Sequence, residues 1–411
     1  MKKILFLLDE LPPTKSANGI CVDKIISALK RDGCEVSCIC WKAPEQYQAE
    51  VHLIPEKPWK QKVDKFSTGG KLFRAYFQVL RVLYRLKRVA MLSVWPVDSY
   101  KTVKNFYKTA RSLIECENIS VVVAVNYPGE TLLAMKYLKK HYAEKICTVM
   151  YPLDVSYVNP YCGKIERKIS SILCPKFMKM CSKYADALLV LENAQEIYNK
   201  LYDKNERNNF RICGIPLLEP AYIEEKTLDS AEIHCVYSGT LQRKIRDPEY
   251  AFTILNKIAK EKKYKIIFDL YGQVDQETKE LYEKAKYVFE FANHGWVEEE
   301  EQLEKCLQRA NVLISLGNME SHLIPSKLFK YMAMRKPIIH FCLTKRDPCI
   351  PYLEKYKNAK IIFLNDNMKE KQMEELAYFI KQAPLANIEL EKCFPRCIPS
   401  YTAKLIEELV K

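Results

Sequence analysis

The stretch that decides the fold is residues 4–29, ILFLLDELPPTKSANGICVDKIISAL. Its first five residues are all apolar, which is typical of a strand that is buried on both faces of a sheet. After a polar loop, apolar residues recur from Val22 to Leu29 at the i, i+3, i+4, i+7 spacing of one helix face. Residues 4–29 therefore predict a strand, a long loop and a helix, the opening unit of a doubly wound α/β domain.

Outward from this stretch, apolar runs continue to alternate with helical periodicity in two series. The first predicts strands at residues 4–8, 36–41, 121–125, 147–150 and 187–191, with helices around 71–90, 101–116, 130–141 and 164–183. The second predicts strands at residues 233–237, 266–270, 287–291, 312–316, 338–341 and 361–363. Strands separated by helices favour parallel sheets covered on both faces, so we predict an α/β chain with two doubly wound domains.

The boundary between the two series falls in residues 214–220, GIPLLEP, which carry two prolines and a glycine. Such a segment is typical of a linker. We therefore predict one domain over residues 1–216 and another over residues 217–399, and the 411 residues of the chain are long enough for both. Beyond Pro399, the amphipathic stretch 401–410 predicts a last helix.

Composition excludes several classes of protein. With 48% hydrophobic and 28% charged residues, the chain is neither disordered nor collagen-like. Its apolar runs are much shorter than the roughly 20 residues of a membrane-spanning helix. The start, MKKILFLL, is similar to a secretory signal, but Asp9 and Glu10 interrupt the apolar run, so we predict the first strand of a cytoplasmic protein.

The sixteen cysteines are scattered, and many lie in apolar runs, where a free thiol behaves as a small hydrophobic group. The chain has no C-x-x-C pair and no pair of histidines at finger spacing, so a structural zinc site is not expected.

Positive charge is concentrated between Glu56 and Arg111, where fourteen Lys or Arg face three acidic residues, a net charge of +11 out of +14 for the chain. Aromatic residues interleave with these cations, among them Trp59, Tyr76 and Trp95. Two interpretations stay open for the basic segment 57–111: attraction to an anionic membrane surface, or a solvated basic face with aromatic residues in the core. Nucleic-acid binding is disfavoured because no RNP, KH or helix-turn-helix pattern accompanies the charge.

Ligands of open α/β sheets bind beyond the carboxyl ends of the strands, so the loops after the strands hold the candidate site residues. In the first domain, Gly19 is predicted to lie just before a helix and to let a substrate approach the backbone and the helix N-terminus. The loop has no G-x-G-x-x-G pattern, which disfavours nicotinamide or flavin binding.

In the second domain, Gly239 begins a turn that is followed by three cations, Arg243, Lys244 and Arg246. Further along, Ser326 is a predicted helix N-cap and Lys327 lies in the first helical turn. A cation opposes the helix dipole at that position unless an anion is bound. Arg246, Lys327 and the helix amides are therefore predicted to hold a diphosphate.

These segments resemble the group 1 glycosyltransferases of the GT-B fold, and most closely the bacterial capsule and exopolysaccharide enzymes. The resemblance rests on SGTL (238–241), RDP (246–248), NHGWV (293–297), PSKLFKYMA (325–333) and KPII (336–339), and it covers essentially the whole chain. It implies two Rossmann-like domains that face each other across a cleft. The first would bind the acceptor, the second would bind the nucleotide sugar, and residues 400–411 would pack back on the first domain.

The resemblance also implies roles for single residues. Arg246 and Lys327 would bind the donor diphosphate and stabilise the leaving group, and Ser326 would belong to the same site. Gly295 and Val297 would lie where the base packs and is hydrogen-bonded by the backbone. Asp154 would lie near the donor sugar.

Two positions depart from the pattern of the related enzymes, which often carry glutamates eight residues apart. His322 and Lys330 stand at those positions here, and Glu320 lies close enough to replace the first glutamate. Arg335 stands where the family commonly has the glycine that ends the helix. The second glutamate usually holds the ribose of the donor.

We therefore expect a retaining glycosyltransferase that transfers a hexose from a nucleotide-diphosphate sugar to a saccharide or lipid-linked oligosaccharide in surface polysaccharide synthesis. It would be peripheral at the cytoplasmic face of the membrane and would bind no nucleic acid. It would need no cofactor or metal, since there is no Asp-x-Asp pattern and side-chain cations can take that role. The alternatives are a nucleotide-sugar epimerase of the same fold and a non-catalytic GT-B scaffold subunit.

Overall fold

The computed structural model describes residues 3–13, 16–56, 79, 82–84, 86, 88–126, 128–153, 164–219, 232–297, 299–318, 324–364, 368–382 and 384–410. The chain divides into two compact units, Met1–Pro216 with Arg396–Lys411, and Leu217–Pro395. None of the described helices has both the length and the apolar character needed to cross a bilayer.

The first unit is built on a sheet of parallel strands in the order β3-β2-β1-β4-β5-β6-β7. The strands are β1 (Lys3–Leu7), β2 (Glu35–Cys40), β3 (Glu50–Leu53), β4 (Val121–Asn126), β5 (Cys147–Pro152), β6 (Ala187–Leu191) and β7 (Phe210–Cys213). The helices are α1 (Ala17–Arg31), α2 (Tyr100–Glu117), α3 (Gly129–Tyr142), α4 (Lys164–Ser182) and α5 (Gln195–Leu201). The C-terminal helix belongs to this unit and packs on α1; it is labelled α13 (Pro399–Glu407) because it comes last in the chain.

The second unit has a sheet of parallel strands in the order β10-β9-β8-β11-β12-β13. The strands are β8 (Glu232–Ser238), β9 (Lys265–Tyr271), β10 (Glu290–Gly295), β11 (Val312–Leu316), β12 (Ile338–Cys342) and β13 (Ala359–Phe363). The helices are α6 (Glu249–Lys262), α7 (Gln276–Ala285), α8 (Glu300–Gln308), α9 (Lys327–Ala333), α10 (Ile350–Tyr356), α11 (Glu370–Gln382) and α12 (Leu390–Cys393).

The central strands form because their apolar runs are covered on both faces. Every residue of β4, β6, β11 and β12 is buried. Burial of each Val, Ile or Leu side chain contributes roughly 1.5–3 kcal/mol, so these strands supply much of the core of each unit. The predicted α/β class with two doubly wound parallel sheets is confirmed.

The structure differs from the predicted strands at three sheet edges. β3 and β7 were not predicted, and each has only four residues. β10 begins three residues later than predicted, because Tyr287 and Phe289 pack with Phe252 in an aromatic cluster rather than opening the strand. These differences leave the central strands unchanged.

Each sheet reverses its strand order once in a way that positions a ligand site. The reversal lies between β1 and β4 in the first unit and between β8 and β11 in the second. Ligands of doubly wound sheets bind at the carboxyl ends of the two strands that flank such a reversal. Candidate functional residues are therefore expected at the carboxyl ends of β1 and β4 in the first unit and of β8 and β11 in the second.

Candidate functional site

The second unit carries a tight glycine turn at the carboxyl end of β8. Gly239 has φ +110°, a left-handed value that favours glycine. A Cβ on Gly272, at the end of β9, would overlap the carbonyl of Gly239. The two glycines allow the backbones after β8 and β9 to lie close together. The side chain of Lys327 occupies the space next to Gly239, and its Nζ would lie 3.7 Å from a Cβ at that position.

Lys327 reaches across the sheet edge from α9. Its Nζ donates to the carbonyl of Ser238 (2.9 Å) and lies 3.1 Å from the centre of the Tyr237 ring. Although part of the side chain meets solvent, the ammonium end is enclosed. Burial, followed by the charge of Arg246, holds the pKa of Lys327 well below its ordinary value. An anion bound here would raise the pKa of Lys327 again, because its charge favours the protonated ammonium and offsets the repulsion from Arg246.

Of the three cations that follow the glycine turn, Arg246 is the one that lies at this site. Its Nε donates to Oδ1 of Asn318 (2.7 Å), which follows β11 on the other side of the strand-order reversal. The neighbouring cations are engaged elsewhere, since Arg243 pairs with Asp247 (3.3 Å) and Lys244 pairs with Glu277 (3.1 Å).

Within the described ranges, no carboxylate forms an ion pair with Arg246 or Lys327. Two neighbouring cations that pair with none of the described carboxylates can bind a diphosphate through charge-assisted hydrogen bonds. The structure therefore brings together two of the predicted site residues, and adds Asn318 and Tyr237, which the sequence analysis missed. Asn318 could have been found as the second residue after a strand at the reversal, whereas nothing in the sequence signals the role of the Tyr237 ring.

The residues around Lys327 are fixed by contacts of α9. Tyr331 accepts the backbone N–H of Ser238 at its hydroxyl (2.7 Å), which ties α9 to the end of β8. Ser326 occupies the predicted N-cap position, and its side chain makes no capping hydrogen bond. Its backbone has helical angles already, and the exposed side chain turns to solvent.

Lys330, which the resemblance places where group 1 glycosyltransferases often carry a glutamate, forms ion pairs here. Lys330 pairs with Glu300 (3.1 Å) and Glu304 (3.5 Å) of α8. Arg335, in the place of the usual glycine, has φ +54°, which explains why glycine is favoured there.

The end of β10 carries the predicted base-binding residues. Gly295 has φ +76° with open space where a Cβ would lie, and Val297 is half-buried. The preceding His294 stacks on Tyr271 at 4.5 Å, and its Nε2 lies 2.7 Å from Oδ1 of Asp269. This buried carboxylate also contacts Nδ1 of His234 (2.7 Å), so β8, β9 and β10 are joined side by side.

The reversal edge of the first unit holds a buried carboxylate that the sequence analysis did not single out. Asp9, the second residue after β1, is 6% exposed, and its Oδ2 accepts from the Ser16 hydroxyl (3.0 Å). Burial raises the pKa of Asp9 to about 6.

Gly19 is buried in the first turn of α1 rather than before the helix. Its N–H donates to the Ser16 side chain (3.3 Å), which is the N-cap of that helix. This amide therefore stabilises the helix start and is already satisfied.

Several predicted residues lie outside the described residues. These are Asp154, Glu320 and His322, together with residues 57–78 and a few others of the basic segment 57–111. Of that segment, Arg88 is described, and it stacks on Trp95 (3.7 Å) while it pairs with Asp98 (3.3 Å) and Glu166 (3.1 Å).

Comparison with known proteins identifies relatives by structure only. No protein-family model matches the sequence, and no curated protein matches it significantly. Among solved structures, a glycosyltransferase from Rickettsia africae matches with a TM-score of 0.58 at 11% identity, over 100% of this chain and 99% of that one. The lipopolysaccharide outer core galactosyltransferase WaaB matches with a TM-score of 0.57 at 13% identity, over 99% of each chain.

A UDP-GlcNAc 2-epimerase from Methanocaldococcus jannaschii is also similar, with a TM-score of 0.52 at 12% identity, over 100% of this chain and 99% of that one. At such identities the likeness shows the fold alone. The chain therefore has the two-domain, Rossmann-like GT-B fold, which glycosyltransferases and at least one epimerase share.

Proposed function

We propose that the protein is a glycosyltransferase that moves a sugar from a nucleotide-diphosphate sugar to a saccharide acceptor. The observation that carries this proposal is the pair Arg246 and Lys327 at the β8–β11 reversal. Their charges lie side by side with no acidic partner among the described residues, and the pKa of Lys327 is lowered by burial and by Arg246. A donor diphosphate would compensate both charges.

In the proposed reaction, the bond between the anomeric carbon and the diphosphate oxygen breaks, and the acceptor hydroxyl oxygen forms the new glycosidic bond. The acceptor proton passes to the departing diphosphate on the same face of the sugar, so the anomeric configuration is retained. Arg246 and Lys327 stabilise the negative charge that grows on the diphosphate as the bond breaks. The two cations take the role of a metal ion, and we expect transfer to be independent of added Mg²⁺.

The acceptor would bind to the first unit, at the β1–β4 reversal. We propose a saccharide or lipid-linked oligosaccharide of surface polysaccharide synthesis, such as a capsule or exopolysaccharide, and a hexose as the transferred sugar. WaaB, which has the same fold, is a galactosyltransferase of the lipopolysaccharide outer core, and this supports the proposed class of acceptor. We also propose that Asp154 lies near the donor sugar and that Glu320 replaces the first glutamate of the family pattern.

We propose further that the enzyme works at the cytoplasmic membrane face through the basic segment 57–111. In the described part of this segment, Val79, Val82, Leu83, Leu86 and Val89 are helical and each is 54–62% exposed. Their i, i+3, i+4, i+7, i+10 spacing places them on one helix face. An exposed apolar face in a strongly cationic segment matches an anionic bilayer, where charge attraction and shallow apolar burial add.

Vesicle co-sedimentation tests the membrane proposal. The protein should bind vesicles that contain anionic lipid, and binding should weaken as salt rises from about 0.05 to about 0.5 M. Leu86→Glu should lower binding by about tenfold, because a charge replaces apolar burial. Tyr378→Glu is the matched control: Tyr378 is 65% exposed on α11 of the second unit, and its replacement should leave binding unchanged. Absent or salt-insensitive binding of the wild type would contradict the proposal.

The donor site is tested by nucleotide binding and turnover together. When a panel of nucleotide sugars is tested, one preferred donor should raise the melting temperature of the protein. That donor should also be consumed in transfer or slow hydrolysis. Lys327→Ala should lower nucleotide affinity by more than about tenfold by calorimetry, with an unchanged circular dichroism spectrum. Lys330→Ala, on the same helix but paired with α8, is the control. Unchanged affinity in Lys327→Ala would overturn the site.

The same assay separates the alternatives. Inversion at a sugar carbon of the free nucleotide sugar would identify an epimerase, for which the M. jannaschii structure is the precedent in fold. Nucleotide binding without any turnover would identify a scaffold subunit.

A further inference from the structure

A buried group of potential metal ligands lies at the carboxyl end of β12. It consists of His340 and Cys342 on the strand and Asp347 in the loop that follows, with exposures of 0%, 1% and 6%. One imidazole nitrogen, the thiol sulfur and one carboxylate oxygen lie within 4.8 Å of one another. Thiolate, imidazole and carboxylate together form a donor set typical of zinc.

The imidazole of His340 is directed into this group but makes no hydrogen bond there. Its Nδ1 lies 2.9 Å from the Ser315 hydroxyl of β11. Its Nε2 is buried, makes no hydrogen bond within the described residues, and lies 3.4 Å from Oδ2 of Asp347 without hydrogen-bond geometry. A fully buried ring nitrogen left in this way costs free energy unless another partner satisfies it.

The separation of these two atoms fits a metal ion between them. Two ligand atoms at about 2.0–2.1 Å from a tetrahedral zinc lie about 3.3–3.4 Å apart, which is the observed distance between Nε2 and Oδ2. The charges also balance, because a thiolate and a carboxylate neutralise Zn²⁺ in a buried site.

The groups behind the ligands already hold them in the required orientation. Ser315 fixes the His340 ring through Nδ1, and the backbone N–H of Cys349 donates to Oδ1 of Asp347 (2.8 Å), which turns Oδ2 toward the group. Such outer contacts are a regular feature of metal sites. A Cβ on Gly317 would overlap Oδ2 of Asp347, so glycine at this position lets the carboxylate lie close to the backbone after β11.

We propose that His340, Cys342 and Asp347 bind a Zn²⁺ ion, with a water molecule as fourth ligand. The ion would link β12 to the loop after it and, through Gly317, support the backbone that carries Asn318. This site differs from the diphosphate site, whose cations are Arg246 and Lys327, and it takes no part in the proposed transfer step. A search for C-x-x-C spacing misses it because the ligands come from alternate strand positions and a loop.

Metal analysis of protein purified without a histidine tag tests the proposal. After incubation with Zn²⁺ and removal of excess ion, mass spectrometry should find about one zinc per chain. Replacement by Co²⁺ should give a thiolate-to-cobalt charge-transfer band. Cys342→Ser should abolish the band and lower metal affinity by at least about tenfold, since it removes a direct ligand.

Cys235→Ser is the matched control, since Cys235 is also a fully buried strand cysteine of the second unit. It should retain the metal and the band, and added zinc should raise the melting temperature of this variant and of the wild type but not of Cys342→Ser. A wild type without bound metal, or equal zinc binding by Cys342→Ser, would overturn the proposal. Should Cys342→Ser fail to fold, the wild-type cobalt spectrum decides: a missing thiolate band overturns the site.

Discussion

At the scale of single residues, the ammonium of Lys327 holds its proton less firmly than a lysine in water. It is enclosed at the end of β8 beside Arg246, and both effects lower its pKa. A bound diphosphate favours the protonated form, so above the lowered pKa the protein must take up a proton to bind.

We therefore predict that the affinity for UDP, as a nucleoside diphosphate probe, falls as pH rises through the lowered pKa of Lys327. The limiting slope is about tenfold per pH unit for one proton taken up. Lys327→Arg stays charged, so its affinity should lose this alkaline decline even if the arginine binds less tightly overall. Calorimetry in buffers of different ionisation enthalpy measures the proton uptake. An identical decline in the Arg variant would assign the proton to another group.

Asp9 gives a second prediction at this scale. Its pKa is raised to about 6 by burial, from 3.8, so the folded protein disfavours its ionised form. The resulting penalty is absent below the ordinary pKa, grows between the two values and is constant above about pH 6. Asp9→Asn should therefore stabilise the protein by on the order of 2–3 kcal/mol at about pH 7 and by little at about pH 4.

Denaturant unfolding at both pH values measures this difference. Tryptophan fluorescence reports mainly on the first unit, because three of the four tryptophans lie in its part of the sequence. The asparagine can still accept the hydrogen bond from Ser16, so this contact does not confound the result. A stability difference that is equal at both pH values would show that the ionisation of Asp9 is not the cause.

At the scale of elements, α8 and α9 are joined at Lys330, the position to which the resemblance to group 1 glycosyltransferases would assign a ribose-binding glutamate. Lys330 is 21% exposed and forms ion pairs with Glu300 and Glu304, so its side chain connects α9 to α8. A glutamate at position 330 would lie beside Glu300 and Glu304, so that three carboxylates would be close together.

We predict that Lys330→Glu destabilises the protein by about 1–2 kcal/mol, because like charges replace two ion pairs. The loss should shrink at high salt, which screens partly exposed charges. Lys330→Ala is the control and should cost less than about 1 kcal/mol, with weak salt dependence. Melting temperatures at low and high salt measure both. A glutamate variant that melts higher and binds nucleotide more tightly would instead place this position at the ribose.

The elements also show what the sequence could predict. Central strands such as β4 and β11 are continuous apolar runs, and their predicted bounds agree with the structure to within a residue. β10 reads EFANHG and has no such run, because His294 is held by a hydrogen bond to Asp269 rather than by apolar burial. Apolar periodicity detects burial, so it placed this short edge strand three residues too early, on the aromatic residues that precede it.

The candidate site, too, was predictable in part from the sequence. Lys327 and Arg246 were predictable because a cation at a helix start, or after a glycine turn, is a local anomaly that an anion resolves. Arg246 was predicted from among the three cations after Gly239, but the sequence does not show what engages the other two. Asp247 pairs with Arg243 and Glu277 pairs with Lys244, and such pairings become visible only in three dimensions.

At the scale of the whole molecule, the chain returns to the first unit at its C-terminal end. The backbone N–H of Gly214 donates to the carbonyl of Arg396 (2.9 Å), where a Cβ on the glycine would overlap that carbonyl. From there α13 packs on α1 and buries Thr402, Ala403 and Ile406. The first unit is therefore completed by a segment that follows the second unit in sequence.

We predict that a chain ending at Pro395 loses stability in the first unit and not in the second. Each buried apolar side chain removed costs roughly 1.5–3 kcal/mol, and α1 and β7 lose their cover. Hydrogen exchange should accelerate in α1 and β7 and stay unchanged in β8 and β9. A chain ending at Glu407 keeps α13 and should exchange like the full chain. Faster exchange confined to the second unit in the shorter chain would contradict the assignment of α13 to the first.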